Sequence, residues 1–194
     1  MERLFVCNSV VTSVLVRVGS RDDRNRCIDL IRGWQAHRLA IVRIRRFVDD
    51  DAPATLEIFS RAVHETASRD YDPDQLEAWA PDDLDPIEWA QRRAAASTWI
   101  AEVDGEVVGF TDVDAEGYID MLFVHPEHSG RGIGTALVEH VLGIAATTSD
   151  VATVNASVTA RPLFERHGFV VVREQHVARR GVLLTNFQMR REPL

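Results

Sequence analysis

A chain of 194 residues, 45% hydrophobic and 27% charged, supports one domain with a sizeable core. A formal net charge of −8 argues against general nucleic-acid binding, the two cysteines (Cys7 and Cys27) supply no disulfide framework, and the histidines show no metal-ligand spacing. No apolar run approaches the roughly 20 residues of a membrane helix. The apolar start is broken by Asn8, Ser9, Thr12, Ser13 and Arg17 with no cleavage site after it, so a cytoplasmic protein is expected.

Residues 1–40 carry a net charge of +3, against −11 for the remainder. They read as an N-terminal extension without catalytic duty. Leu30, Ile31, Trp34 and Leu39 fit a short amphipathic helix over 29–42, and a loosely ordered arm fits equally well. The domain proper is placed at 41–194. Its first strand is IVRIRRF from Ile41, followed by acids at 49–51 that suit a helix start. Leu56, Phe59, Ala62 and Val63 then recur at helical spacing. An acidic, turn-rich stretch follows, with short helices expected at 75–79 and 86–95. Asp104-Gly105 marks a two-residue hairpin between strands at 99–103 and 106–113.

The most informative stretch is YIDMLFVHPEHSGRGIGTAL, residues 118–137. It opens with strand alternation, Pro126 ends the ladder, and Ile133, Leu137, Val141 and Ile144 continue at helical spacing. Between them stands Ser129-Gly130-Arg131-Gly132-Ile133-Gly134. Glycines let a loop bring backbone N–H groups to a ligand, and the helix start adds unpaired N–H groups and a partial positive charge. A strand–loop–helix anion cradle follows. It is no Walker loop, because the chain holds no lysine, and Thr135, Ala136 and Leu137 fill the place of a third dinucleotide glycine. Beyond it lie a strand at 152–156, a short helix in SVTARPLFERHGF with Thr159 as its expected cap, and strands at 169–177 and 182–189.

Val124-His125-Pro126 followed by Ser129-x-x-Gly132-x-Gly134 resembles the acetyl-CoA loop of the GNAT N-acetyltransferases, with Ser129 in place of the usual Gln or Arg. Ser157, Ala160, Phe164, Gly168 and Phe169 resemble a second motif of that family, with Ser for Asn and Phe for Tyr. The resemblance spans about 41–191 and is closest to a bacterial YafP-like subgroup, which also shares the run YDPDQLEAWAP and a closing Asn186-x-x-Met189. It implies an α/β (α+β) GNAT fold: a mixed, mostly antiparallel central sheet of about six to seven strands with helices on both faces. It also implies acetyl-CoA as co-substrate, no metal, an amine acceptor, and no nucleic-acid or membrane partner, a homodimer being allowed. The cofactor contacts implied are Ser129, Gly130, Arg131, Gly132, Ile133, Gly134 and Thr135 at the diphosphate, with Arg161 also near the phosphates. Leu122, Phe123 and Val124 lie beside the thioester, and Ser157 and Phe164 come from the second motif.

The family reaction is direct attack of an amine on a thioester. An alkyl amine of pKa near ~10 is mostly protonated at pH 7, so a base is useful. Asp120, on the central strand, is the first candidate, either as a desolvated base or as an exposed or ion-paired acid. Glu102 and His64 stand in reserve. Phe164 replaces the family's usual acid, so Tyr118, on the face of Asp120, is the candidate proton donor or else a packing residue. His64, Tyr71 and Trp79 are expected to shape an acceptor pocket, and six aspartates between 70 and 85 either attract a cation or cap helices. An acetyltransferase of small or peptide amines is the leading reading. A non-catalytic acyl-CoA-binding module, a protein acetyltransferase and an interaction protein are the alternatives.

Overall fold

A computed structural model describes residues 42–193 and, nearer the N-terminus, the backbone of two short strands, β1 (Phe5–Asn8) and β2 (Ser13–Val16). The chain divides into two compact units, Met1–Ala40 and Ile41–Leu194. Within the first, β1 and β2 pair antiparallel, Phe5 opposite Val16. The helix expected over 29–42 lies outside the described residues.

The second unit opens with β3 (Arg43–Arg46), α1 (Ala52–Arg61), α2 (Pro73–Trp79) and α3 (Pro86–Ala95). Between α1 and α2 the chain makes a π-helical turn over Ala62–Thr66. Acids start the two short helices. Asp72 Oδ1 accepts from Gln75 N at 2.9 Å while Gln75 Oε1 accepts from Asp72 N at 3.1 Å, a reciprocal capping box with Pro73 in the first turn. Asp85 Oδ1 accepts from Ile87 N at 2.8 Å ahead of α3. Strands β4 (Thr98–Val103) and β5 (Glu106–Asp112) turn through Asp104 and Gly105 at φ 52° and 88°, the left-handed pair a two-residue hairpin requires.

The α+β class and the GNAT-type order hold, but the expected single sheet is two. The strand read over 118–125 is interrupted at Asp120-Met121 into β6 (Tyr118–Ile119) and β7 (Leu122–Val124). β7 is the edge of an antiparallel sheet ordered β3-β4-β5-β7. β6 is the edge of the other sheet, ordered β6-β8-β10-β9, with β8 at Ala152–Ser157, β9 at Val170–Arg179 and β10 at Val182–Arg191. The interruption has a local cause. Asp112 Oδ1 accepts from the backbone N–H of Asp120 at 3.1 Å and of Met121 at 2.9 Å, so a side chain takes donors that a ladder would otherwise use.

Helices cover both faces of the first sheet. Alternation along β4 sends Ile100 to Phe110 and to Ile58 and Phe59 of α1. Ala101 and Val103 turn the other way, to Ile133 and Leu137 of α4 (Ile133–Ala145). The far side of α4, through Val138 and Val141, packs on Val154, Ala156 and Phe187 of the second sheet. Among the described residues no helix is long and apolar enough to cross a membrane.

His140 of α4 packs edge-on against Trp99 at 4.2 Å, and its Nε2 is buried without a hydrogen-bond partner. Burial first, then the Arg46 charge, holds its pKa below the ordinary value near 6.5. The folded state therefore binds this proton less readily than the unfolded chain. The neutral ring's stability is complete above pH ~6.5 and is lost as pH falls toward the depressed folded value. In urea melts between pH 7.5 and 5.5, His140→Leu should flatten the wild-type decline. An unchanged slope would remove His140 as its source.

Candidate active site

Where β6 and β7 part, a cleft of about 500 Å³ opens between β7, the start of α4, the end of β8 and α5 (Arg161–Arg166). Leu122, Phe123 and Val124 form one wall, and Ser129, Gly130, Gly132, Gly134 and Thr135 the rim, with Ile133 turning its side chain into the core. Gly130 and Gly132 have φ of 75° and 83°, and a Cβ at either would meet nothing within 4 Å. Space therefore lies directly over this backbone. Gly132 caps α4 without any side-chain hydrogen bond, and the first intrahelical bond is Ala136 N to Gly132 O at 3.0 Å. The N–H groups of Ile133, Gly134 and Thr135 thus have no helical partner, the arrangement an anion fits. Ser129, the first of the expected contacts, has its amide already used: its N donates to Pro126 O at 3.1 Å, as the neighbouring His128 N does to His125 O at 2.9 Å.

Other expected contacts are displaced. Phe164 is 1% exposed and packs on Phe169 in the core, so it faces no cleft. Arg131 is exposed off the lining. Arg161 is held by Glu165 at 2.7 Å and lies over the Phe187 ring at 4.6 Å. Arg166 lines the cleft instead; its spacing of four from Pro162, on the same lining, was the available signal. Ser157 reaches the cleft, but its Oγ accepts from Ala160 N at 3.0 Å. No side chain caps α5: Thr159, the expected cap, donates instead to Asp70 at 2.6 Å.

The strand interruption is clamped from β5. Besides the two N–H groups held by Asp112, Met121 O accepts from Asp112 N at 3.1 Å and from Thr111 Oγ1 at 2.8 Å. The other carboxylate oxygen of Asp112 accepts from Arg93 Nη1 of α3, both residues being 4% exposed. Desolvation pushes the Asp112 pKa up, opposed by the Met121 amide and the Arg93 charge. Asp112→Asn should cost about 3–5 kcal/mol, because it leaves a buried guanidinium unpaired. It should also speed amide exchange at Asp120 and Met121. Wild-type exchange rates at those two amides would show that Asp112 does not hold them.

Beyond the clamp, β7 bonds to β5 through Met121 O and through His125 N, which donates to Val108 O at 2.9 Å. Two-residue alternation then turns the Leu122 and Val124 N–H groups to the opposite edge, which no described strand pairs. Phe123 lies in register with Phe110 and contributes its ring rather than its amide.

On the other side of the interruption is a second cavity, of about 720 Å³, between α1–α3 and the second sheet. It shares Trp79, Phe123 and Ser157 with the cleft. Tyr118 and Asp120 both line it, Tyr118 Oη donating to Asp120 Oδ1 at 3.4 Å and accepting from Asn155 Nδ2 at 3.2 Å. Burial raises the Tyr118 pKa, so the hydroxyl keeps its proton at neutral pH. Of the environments open to it, Asp120 has the exposed one; the desolvated carboxylate beside it is Asp112. Tyr71 lines the cavity with its ring only, its hydroxyl donating to Thr185 O at 2.6 Å and accepting from Val158 N at 2.9 Å. His64 lines neither cavity and bonds Ala80 O through Nε2 at 2.7 Å. Glu102 is tied to Arg45 at 2.8 Å, away from both.

The family model Acetyltransferase (GNAT) domain matches residues 67–191. The chain belongs to the GNAT acetyltransferases. It is 41% identical over 152 residues to YafP of Escherichia coli K12, described as an uncharacterized N-acetyltransferase, covering 78% of this chain and 97% of YafP. The peptidyl-lysine N-acetyltransferase YjaB of Salmonella typhimurium LT2 is 30% identical over 142 residues, covering 71% of this chain and 89% of YjaB. Among solved structures, a GCN5-related N-acetyltransferase from Rhodopseudomonas palustris superposes with a TM-score of 0.75 at 32% identity, over 79% of this chain and 96% of that one. The putative acetyltransferase YncA of Salmonella typhimurium, solved with acetyl-CoA, superposes at 0.63 and 20% identity, over 79% and 94%. As a GNAT protein this chain is an N-acetyltransferase, and its α+β order is that of its relatives.

Proposed function

We propose that the protein transfers an acetyl group from acetyl-CoA to a primary amine by direct attack, with Asp120 as base and Tyr118 as proton donor. One observation carries this reading: the cleft and the acceptor cavity meet at Trp79, Phe123 and Ser157, beside the free amides of β7. The acetyl-CoA of the YncA structure supports acetyl-CoA as the co-substrate, since the glycine backbone here is open where a diphosphate would lie. The N–H groups of Ile133, Gly134 and Thr135 hold it, and Leu122 and Val124 N–H stabilise the oxyanion that develops on the thioester carbonyl.

In the transfer, the C–N bond forms and the C–S bond breaks. Asp120 takes the proton the amine loses, and Tyr118 gives one to the departing thiolate. Their 3.4 Å contact lets the Asp120 proton return to the phenolate, restoring both groups. A phenol less acidic than a thiol gives up its proton readily only with that replacement, so the pair works as a unit.

Calorimetry with acetyl-CoA, then release of free CoA over an amine panel, tests the reading. Micromolar binding with amine-dependent release is expected. Binding without turnover of any amine would leave a non-catalytic acyl-CoA-binding module, and no binding would remove the cofactor reading altogether. The likeness to YjaB, a peptidyl-lysine acetyltransferase, supports a lysine side chain as a second acceptor reading.

A further inference from the structure

We infer that the acceptor is a small aromatic monoamine carrying one uncharged hydrogen-bond donor, not a polyamine; this rests on the acetyl-transfer reading above. Charge in the cavity decides against a polycation. The aspartates of 70–85 suggest an attraction for cations, yet the lining brings four carboxylates against four arginines. Asp83 pairs with Arg180 at 2.9 Å, Glu88 pairs with Arg92, and Asp85 caps α3. Arg93 is held by Asp112. Asp120 is then the one lining carboxylate that neither pairs with a cation nor caps a helix among the described residues. A single ammonium finds a partner there. A second and third would be desolvated beside neutral pairs and Arg179.

The walls say what the amine is carried on. Half-buried Phe123 and Trp79, with centroids 6.3 Å apart, present an aromatic surface backed by the buried rings of Phe59 and Trp89, with separations of 5.0 Å for Phe59–Trp89 and Phe59–Phe123. Such a surface favours another ring over a hydrated chain. Facing it, the second sheet contributes a row of uncharged polar side chains, Asn155, Gln175 and Asn186, with Arg179 at the end of β9 as its one lining charge. Gln175 Nε2 donates to Asn155 Oδ1 at 3.0 Å, and Asn155 donates to Tyr118, so this row leads to Asp120. Asn186, in register with both Gln175 and Ser157, stands apart: its Oδ1 is buried without a partner. A buried acceptor left unmatched is unfavourable, and a hydroxyl or amide N–H on the acceptor relieves it.

The experiment uses the full chain with tyramine (ring, one amine, one hydroxyl), phenethylamine (no hydroxyl), spermidine and a lysine peptide. Tyramine should show the highest kcat/KM, about tenfold above phenethylamine, and Asn186→Leu should erase that gap while leaving phenethylamine and acetyl-CoA binding unchanged. A higher kcat/KM for spermidine or the peptide would overturn the assignment, as would a tyramine advantage that survives in Asn186→Leu. Calorimetry of the CoA-loaded protein separates the two levels of the claim. Arylalkylamine binding without turnover upholds the acceptor class and defeats the transfer reading, whereas absence of that binding defeats the class.

Discussion

Gly132→Val is expected to raise the acetyl-CoA dissociation constant by about 100-fold or more, while Gly181→Val leaves it unchanged. The two positions are matched in backbone strain: both have φ of 83°, and a Cβ at either meets no atom of the protein within 4 Å. A β-branched side chain costs each of them at least the roughly 1–2 kcal/mol of a non-glycine left-handed residue. What differs is the occupant of the space. At Gly181 it is solvent beyond the β9–β10 turn. At Gly132, we propose, it is the diphosphate, against the free amides of Ile133, Gly134 and Thr135, and two valine methyls would hold it away. Calorimetry on both variants, with thermal melts to compare stability, measures the difference. Equal affinities would show that the anion is bound elsewhere. Gly134 is a different case, since its Cβ would lie 3.1 Å from Leu163 Cδ2 and disturb the packing of α4 on α5.

Asp120→Asn should lower kcat by about 10²–10³-fold with acetyl-CoA affinity intact, the range that loss of a general base produces. The change is nearly isosteric at an exposed residue, so stability should move by less than about 0.5 kcal/mol. The shape of the pH–rate profile is the sharper measurement. With the base present, protonated amine can be deprotonated in place, so the rate depends only weakly on pH below the amine's own pKa. With asparagine, only amine that has already lost its proton reacts, so the rate should climb about tenfold per pH unit toward the amine's own pKa near ~10. A variant profile parallel to wild type would show that Asp120 takes no proton and that the reaction relies on free amine throughout.

Local features were legible in the residues because their causes are local. The Asp104-Gly105 turn, the glycine loop and the helix beginning at Ile133 each follow from short-range backbone geometry and from periodicity, and they stand where the spacing puts them. Tyr118 and Asp120 read as neighbours on one strand face, and they are in contact. Environment was not legible. A carboxylate on an apolar strand is either desolvated or exposed, and the choice is set by what packs across the strand: α3 brings Arg93 to Asp112 rather than to Asp120. His64, Glu102 and Arg161 were candidates by residue type, and each is engaged by a partner that neither cavity involves, two of them distant in the chain.

By itself, then, the sequence determined the α+β order, the glycine loop and the family, since each is encoded in runs of adjacent residues whose preferences are independent of the rest of the chain. Only the tertiary structure decided that the central strand is interrupted, and that its interruption joins a cleft to a cavity of balanced charge. Those outcomes depend on Asp112 meeting amides eight and nine positions away and on arginines meeting carboxylates as far as 97 positions apart. Pairings across such distances are chosen by packing of the whole fold, and no local pattern specifies them.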